Sequence, residues 1–228
     1  MYGVTDEEIR RLIPAIDYSE VLTITASEEE VRAACRLAKQ LHFRAVVAFP
    51  QYLGVLVDEL KESGVRAQIP VGFPCGGHTT HVKCLEAEEG LQRGATDLDM
   101  MMNLSAFKAG DYRRVAQDIG EVMAVAMPFK VPFKVIIEIG ALTDEEKVTA
   151  ARIVADSGAD FVKTCTGFGP GRATVHDIAL LKEAVGERIG VKASGGVPSV
   201  ADGVALMRAG ASIVALRRPA VEPLVSIG

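Results

Sequence analysis

The sequence contains no tryptophan, and aromatic residues make up only 5% of its 228 positions. It has no apolar run near the roughly 20 residues that a membrane-spanning helix needs. It also lacks a long run of basic residues, and its net charge is −5. A protein of this charge is not expected to bind nucleic acid as its main partner. We therefore expect neither a membrane nor a nucleic acid among its partners.

Cysteine is scarce as well. The spacing of Cys35, Cys75, Cys84 and Cys165 does not match a disulfide framework. Residues 1–8 are acidic, which is typical of neither a signal peptide nor a transit peptide. These features predict a cytoplasmic protein.

One group of potential metal ligands needs an explanation. Cys75, His78, His81 and Cys84 recur at every third residue. Zinc sites usually combine closely spaced ligands with others from a separate segment. Residues three apart drift around a helix, so these four side chains do not readily converge on one ion. We expect a loop and a helix start here, and no metal site.

Eight apolar, β-rich runs alternate with helical patterns along the chain. The runs lie at residues 13–16, 45–49, 67–71, 97–102, 133–138, 160–164, 189–193 and 212–216. Helix starts are indicated by capping-box patterns at Ser27–Glu30 and Thr143–Glu146, and by a similar pattern with Asp at Thr174–Asp177. Helix ends are indicated by Gly64, Gly94, Gly158 and Gly210.

Eight such strand–helix units predict an α/β fold, a (β/α)8 barrel that forms one domain over residues 1–228. A doubly wound open sheet is the alternative, and the number of strands alone does not exclude it. The 49% hydrophobic content fits a compact enzyme.

Two lysines end apolar runs in similar strand–loop contexts, Lys163 and Lys192. The active site of a barrel lies at the carboxyl ends of its strands. Burial and a second nearby cation both favour a neutral amine, the form that a Schiff-base nucleophile needs. Either lysine alone is better explained as a structural ion pair, but the two together favour covalent chemistry.

Further polar residues lie at the ends of the predicted strands: Asp17, Ser19, Asp99, Asn103, Glu138, Thr164 and Ser194. Lys134 and Glu138 share one face of a strand by the two-residue period. If that face points inward, both belong to the site or its supporting shell. The alternative is a structural ion pair between them.

Five segments of the sequence together resemble the deoxyribose-phosphate aldolase family. They are residues 72–89, which begin Gly-Phe-Pro-Cys-Gly-Gly-His, Gly-Ala-Thr-Asp-Leu-Asp-Met at 94–100, Lys-Val-Ile-Ile-Glu at 134–138, Phe-Val-Lys-Thr-Cys-Thr-Gly-Phe at 161–168, and Val-Lys-Ala-Ser-Gly-Gly at 191–196. The similarity runs in order from about residue 13 to the end of the chain.

The resemblance implies a class I aldolase on a (β/α)8 barrel that needs no metal or organic cofactor. It implies that Lys163 forms the Schiff base, that Lys192 lowers the pKa of that amine and joins proton transfer, and that Asp99 handles protons with a bound water. The implied reaction is reversible cleavage of 2-deoxy-D-ribose 5-phosphate to acetaldehyde and D-glyceraldehyde 3-phosphate, a step of carbohydrate catabolism.

The sequence departs from the family where the substrate phosphate binds. The family has an arginine two residues after the paired glycines, where this chain has Pro198, and a hydroxyl-rich loop where this chain has Arg217, Arg218 and Pro219. We expect Asp17, Ser19, Thr164, Gly167, Gly195 and Gly196 to contact substrate, with Arg217 or Arg218 binding a distal anion.

Several alternatives remain open from the sequence. The anion could be a carboxylate, so that the substrate is a different deoxy sugar. The arginines could face solvent, or the barrel could be catalytically silent and bind a small anion. A phosphate-binding isomerase is disfavoured because no histidine ends a predicted strand. The expected partners are a small aldehyde or sugar phosphate and further copies of the chain, as a homodimer or larger homo-oligomer.

Overall fold

Eight parallel strands pair in chain order, and the eighth pairs with the first, so the sheet closes into a barrel. The computed structural model describes residues 3–226. The strands are β1 Ile16–Tyr18, β2 Ala45–Val47, β3 Arg66–Val71, β4 Asp97–Met101, β5 Phe133–Ile136, β6 Phe161–Lys163, β7 Gly190–Ala193 and β8 Ile213–Leu216. The predicted single-domain (β/α)8 barrel is confirmed, and the open doubly wound sheet is wrong.

Helices connect the strands and cover the outside of the barrel. They are α1 Asp6–Leu12, α2 Glu28–Gln40, α3 Leu53–Leu60, α4 Thr80–Gln92, α5 Leu104–Lys108, α6 Tyr112–Ala126, α7 Asp144–Asp156, α8 Val175–Val185, α9 Val200–Arg208 and α10 Arg218–Val221. Apolar side chains between the helices and the outer face of the sheet form the hydrophobic core. In the described residues, no helix is both long enough and apolar enough to cross a bilayer.

The predicted helix boundaries have the expected local chemistry. Ser27 and Thr143 form complete capping boxes with Glu30 and Glu146. The hydroxyl of Thr174 accepts a hydrogen bond from the backbone N–H of Asp177. Gly64, Gly94, Gly158 and Gly210 all have positive φ values, as the left-handed turns that end helices require.

The first strand was predicted in the wrong place. Residues 13–15 form a short 3-10 turn rather than a strand, and β1 begins only at Ile16. Pro14 explains the difference, because its ring fixes φ and it has no N–H to donate to a neighbouring strand. The shift places Asp17 within β1 instead of after it.

Candidate active site

Charged side chains occupy the interior of the barrel. Aspartates come from β1 and β4, lysines from β5, β6 and β7, and one arginine from the residue before β2: Asp17, Asp97, Asp99, Lys134, Lys163, Lys192 and Arg44. All except Arg44 are buried. Most barrels fill this space with branched apolar side chains. Here it holds a network of ion pairs.

Asp99 lies at the centre of the upper part of the network. Its Oδ2 accepts hydrogen bonds from Lys163 Nζ at 2.6 Å and from Lys192 Nζ at 2.7 Å. Its Oδ1 lies 3.2 Å from Lys134 Nζ. The two lysines singled out in the sequence therefore share one carboxylate oxygen, and their Nζ atoms are held close to each other.

Arg44 connects the lower part of the network. Its two terminal nitrogens donate to Asp17 Oδ1 and to Asp97 Oδ2, each at 2.6 Å. Asp17 Oδ2 lies 2.5 Å from Lys192 Nζ, and Asp97 also pairs with Lys134. Asp17 therefore supports Lys192 from below. Burial alone would raise the pKa of Asp17, but Lys192 and Arg44 outweigh burial and hold that pKa well below its usual range.

The network contains four basic groups and three carboxylates. Because a net charge inside a protein is costly, the arrangement is best balanced when one amine is neutral. Burial lowers the pKa of Lys163, and Lys192 lowers it further, while Asp99 acts in the opposite direction. Lys163 has a single carboxylate partner and shares it with Lys192.

Lys134 is the other lysine whose pKa is shifted. Burial lowers the pKa of Lys134 well below its usual range, and Lys192 adds to the effect. However, Lys134 lies between Asp97 and Asp99 and contacts both carboxylates. Two carboxylates therefore balance the charge of an ammonium at Lys134, whereas an ammonium at Lys163 would share one carboxylate with Lys192. We therefore take Lys163 as the amine that loses its proton most readily.

A cavity of about 240 Å³ opens at the carboxyl ends of the strands, next to the two lysines. Seven of its lining residues were singled out as site residues from the sequence: Ser19, Lys163, Gly167, Lys192, Gly195, Gly196 and Arg217. Thr166 and Ser194 add two hydroxyls, and apolar side chains complete the wall. The cavity thus joins a buried amine to a rim that carries glycines and an arginine.

Four other predicted site residues lie outside the cavity wall. Asp17 and Asp99 lie behind the lysines, in the ion network. Thr164 is buried, and its hydroxyl donates to Ser194 O at 2.7 Å and accepts from Ser194 N at 2.8 Å. It therefore joins the ends of β6 and β7 and makes no contact with the cavity.

Arg218 is the fourth predicted site residue that lies outside the cavity wall. Its backbone N–H donates to Glu20 Oε2 at 2.8 Å. Its guanidinium lies near the hydroxyl of Tyr18, whose ring packs on Phe43 outside the barrel. Burial raises the pKa of Tyr18 to about 12, against the opposing effect of Arg218. The side chain of Arg218 is therefore directed away from the cavity.

Glu138 holds the loop that follows β6. Its Oε2 accepts hydrogen bonds from Thr166 N at 3.1 Å and from Thr166 Oγ1 at 2.5 Å. The same hydroxyl accepts from the N–H groups of Phe168 and Gly169. The backbone of Glu138 is in the left-handed region, with a φ of 52°, which is strained for a residue with a side chain.

This arrangement corrects two expectations about the β5 segment. The strand ends at Ile136, so Glu138 is not on one strand face with Lys134. The structural ion pair between Lys134 and Glu138 is also wrong, because Lys134 contacts the aspartates of β4 and Glu138 contacts Thr166.

Cys165 packs beneath the glycine turn after β7. A Cβ at Gly195 would lie 2.7 Å from Cys165 Cβ, and φ at Gly195 is +97°. Only glycine fits this approach. Burial raises the pKa of Cys165 to about 12, so the side chain is a neutral thiol.

The candidate zinc ligands are spread over a loop and a helix. Cys75 and His78 precede α4, and His81 and Cys84 lie within it. Between residues 3 and 226, no three His, Cys, Asp or Glu side chains come together in a geometry suited to a metal ion.

Sequence reasoning missed Arg44, Asp97 and Thr166. Asp97 and Asp99 are two residues apart in a predicted strand, so the two-residue period could have placed both in the barrel. Thr166 follows Lys163 in the same loop motif. Arg44 gave no signal, because its two carboxylate partners come from β1 and β4.

Comparisons with known proteins identify relatives of this chain. The sequence model of the DeoC/LacD family aldolase matches residues 11–218. The chain is 42% identical over 208 residues to a deoxyribose-phosphate aldolase of Caldanaerobacter subterraneus subsp. tengcongensis, covering 91% of this chain and 90% of that protein. It is 43% identical over 199 residues to a deoxyribose-phosphate aldolase of Bacillus cereus, covering 87% and 88%.

The fold is also similar to that of a relative whose structure has been solved. The deoxyribose-phosphate aldolase of Aeropyrum pernix, described as having a unique tetrameric structure, superposes with a TM-score of 0.87 at 29% identity. The match covers 99% of this chain and 98% of that one.

Proposed function

The chain belongs to the DeoC/LacD family of aldolases, and on that premise we propose that it cleaves 2-deoxy-D-ribose 5-phosphate reversibly through a Schiff base on Lys163. The products are acetaldehyde and D-glyceraldehyde 3-phosphate. The observation that carries the proposal is the pair of lysines beside the cavity, both hydrogen-bonded to Asp99 Oδ2. A lyase of this kind needs a neutral amine, a proton donor and a proton acceptor within one site.

The first stage forms the iminium. Lys163 Nζ, neutral because of burial and of Lys192, attacks the aldehyde carbon of the open-chain sugar. The resulting carbinolamine loses water when its hydroxyl receives a proton. Lys192 is suited to supply that proton, since its ammonium lies against the same carboxylate oxygen as Lys163.

The second stage breaks the bond between C2 and C3. A base removes the proton of the C3 hydroxyl, C3 becomes the aldehyde carbon of the released triose phosphate, and the bonding electrons move to the iminium to form an enamine. Asp99 acts as the base through a water molecule. Protonation of the enamine at C2 and hydrolysis of the new iminium then release acetaldehyde and regenerate the amine of Lys163.

Borohydride trapping tests the proposal directly. Reduction in the presence of acetaldehyde should leave an ethyl group on Lys163, located by peptide mass spectrometry. Lys163→Ala should lose both the label and turnover, while Lys61→Ala, which removes an exposed lysine distant from the cavity, should keep both. An active, labelled Lys163→Ala variant would exclude Lys163 as the nucleophile.

We also infer a homo-oligomer in the cytoplasm. The tetrameric description of the Aeropyrum pernix relative supports self-association. Exposed apolar side chains on α4, Val82 and Leu85, offer a surface for it. The four free cysteines of this chain are compatible with a reducing compartment. Light scattering after size-exclusion chromatography tests the assembly, and a monomer at micromolar concentration would contradict it.

A further inference from the structure

A glutamine lies inside the barrel beside the ion network. Gln68 belongs to β3, and its side chain is fully buried. The side chain of the next residue, Ile69, faces α4, since its Cδ1 occupies the space that a Cβ on Gly90 would need. Successive side chains of a strand point to opposite faces of the sheet. Gln68 therefore faces the barrel interior.

Gln68 is adjacent to an acidic member of the network. Its register partner on β4 is Asp97, whose carboxylate contacts Arg44 and Lys134. Neighbouring strands lie about 4.8 Å apart, and register partners face the same side of the sheet. Arg66, two residues earlier on the same face of β3, is exposed to solvent at the start of the strand. Gln68 is thus a neutral polar side chain next to buried charges.

The fold does not use the amide of Gln68 for hydrogen bonding. In the part of the chain that the structure describes, neither its Nε2 nor its Oε1 has a hydrogen-bond partner. A buried polar group without a partner is unfavourable, and native structures contain few of them. An apolar side chain of similar length, such as methionine, would avoid this cost. Glutamine has the shape of glutamate, and it differs from glutamate by the absence of a negative charge.

We propose that Gln68 keeps the ion network of the barrel one carboxylate short of its basic groups, and that this shortage keeps Lys163 unprotonated. The inference rests on the proposed function, in which Lys163 attacks as a neutral amine. Four basic groups face three carboxylates in the network. A glutamate at position 68 would make the two numbers equal, and every amine could then remain an ammonium. Gln68 lies outside the cavity wall and acts through Lys163, so it is a positioning residue.

The charged groups around Lys163 come from four strands. Asp99 on β4 accepts its hydrogen bond and also that of Lys192 on β7. Asp17 on β1 and Lys134 on β5 are further charged neighbours. Burial lowers the pKa of Lys163, Asp99 opposes that effect, and Lys192 lowers the pKa further. A carboxylate on β3 would act in the same direction as Asp99, so it would raise the pKa of Lys163 and reduce the fraction of neutral amine.

The pH dependence of kcat/KM tests the proposal. Gln68→Glu adds a carboxylate with almost no change of shape. The rising limb should move to higher pH by about one unit or more, so kcat/KM at a pH below both limbs should fall by about tenfold or more. Gln68→Met leaves the interior charge unchanged and should keep the limb at the wild-type pH. Gln40→Glu adds the same charge at the exposed end of α2, where solvent and salt screen it, and should not move the limb.

A charge exchange between the two register partners separates the number of carboxylates from their location. Asp97→Asn should move the limb to lower pH, because the network then has one carboxylate fewer. Adding Gln68→Glu to Asp97→Asn restores the number, and the limb should return to the wild-type pH. In this background the buried carboxylates never exceed those of the wild type. The effect of Gln68→Glu can therefore be measured even if the single variant does not fold.

Three results would overturn the proposal. They are an unmoved limb in Gln68→Glu, a shift in Gln68→Met as large as that in Gln68→Glu, and a double variant that keeps the limb of Asp97→Asn. Failure of the proposed function gives a different result, since absence of borohydride trapping with acetaldehyde in the wild type would overturn the Schiff base itself. Trapping at Lys163 together with an unmoved limb in Gln68→Glu would overturn the role of Gln68 and leave the Schiff base in place.

Discussion

Lys163 and Lys192 are register partners on neighbouring strands of the barrel. Partners on adjacent parallel strands face the same side of the sheet, so both side chains enter the barrel at the same height. Asp99, on β4, accepts from both at a single oxygen. The pairing of two strands therefore places the amine of Lys192 beside the amine that, on the proposed mechanism, loses its proton, with no contribution from the loops.

The pH dependence of activity should depend on this pairing. Lys192→Met removes a like charge beside Lys163, and it also leaves Asp99 free to stabilise the ammonium of Lys163. Both effects raise the pKa of Lys163. Because the neutral amine is the active form, the rising limb of the kcat/KM profile should move to higher pH by about one unit or more. If the rate falls but the rising limb stays at the same pH, Lys192 acts in proton transfer and does not lower the pKa of Lys163.

Substitution of Glu138 should weaken substrate binding more than imine formation. Glu138→Gln keeps the shape of the side chain but removes the charge that Thr166 N–H and Oγ1 bond to. We expect a loss of about 1–3 kcal/mol in unfolding free energy and an increase in KM, because the loop also carries Gly167. Chemical denaturation and steady-state kinetics measure the two effects.

A control for this prediction is available in the same loop. Thr166→Ser keeps the hydroxyl that Glu138 binds and should remain close to the wild type in both measurements. If Glu138→Gln leaves KM unchanged while stability falls, Glu138 supports the fold only.

A methyl group at Gly195 should be poorly tolerated. Gly195→Ala places a Cβ 2.7 Å from Cys165 Cβ at a φ of +97°, so both the contact and the backbone are strained. We expect a destabilisation of at least about 1–3 kcal/mol and reduced turnover. Gly54→Ala is the matched control, since Gly54 lies in α3 with no atom within 4 Å of the new Cβ. That change should be neutral or stabilising by roughly 0.5–1 kcal/mol.

Catalysis is expected to be independent of metal ions. Once the iminium has formed, it withdraws electrons from the bond that breaks, so the mechanism requires no Lewis acid. Full turnover should survive prolonged chelation and dialysis. Loss of turnover with recovery on adding zinc would contradict this and return attention to Cys75, His78, His81 and Cys84.

Periodicity and turn chemistry were sufficient to predict the barrel. Each strand from β2 to β8 was located, because buried parallel strands have continuous apolar runs bounded by capping residues and glycines. The first strand was predicted too early in the sequence because residues 13–16 have the composition of a strand. The effect of Pro14 on hydrogen bonding was not considered.

The candidate site was predictable only where the position of a residue in a strand places its side chain inside the barrel. Lys163 and Lys192 lie at or near the ends of apolar runs, Asp99 lies in the middle of β4, and the closed barrel brings the three side chains together. Arg44 lies before its strand, and its partners are distant in sequence, so only the fold reveals it. The direction of Arg218 depends on a hydrogen bond to Glu20, a contact across 198 positions that local patterns do not encode.

The four basic groups and three carboxylates of the barrel interior also determine how protons move during turnover. On the mechanism proposed here, the proton that Lys192 gives to the departing water is replaced by the one that the C3 hydroxyl releases on cleavage. In the same way, protonation of the enamine consumes one proton, and hydrolysis of the iminium releases one. The interior can therefore pass through the whole cycle without a change in its total charge. No step then adds a net charge to the buried interior, because each proton released inside the barrel is taken up there in a later step.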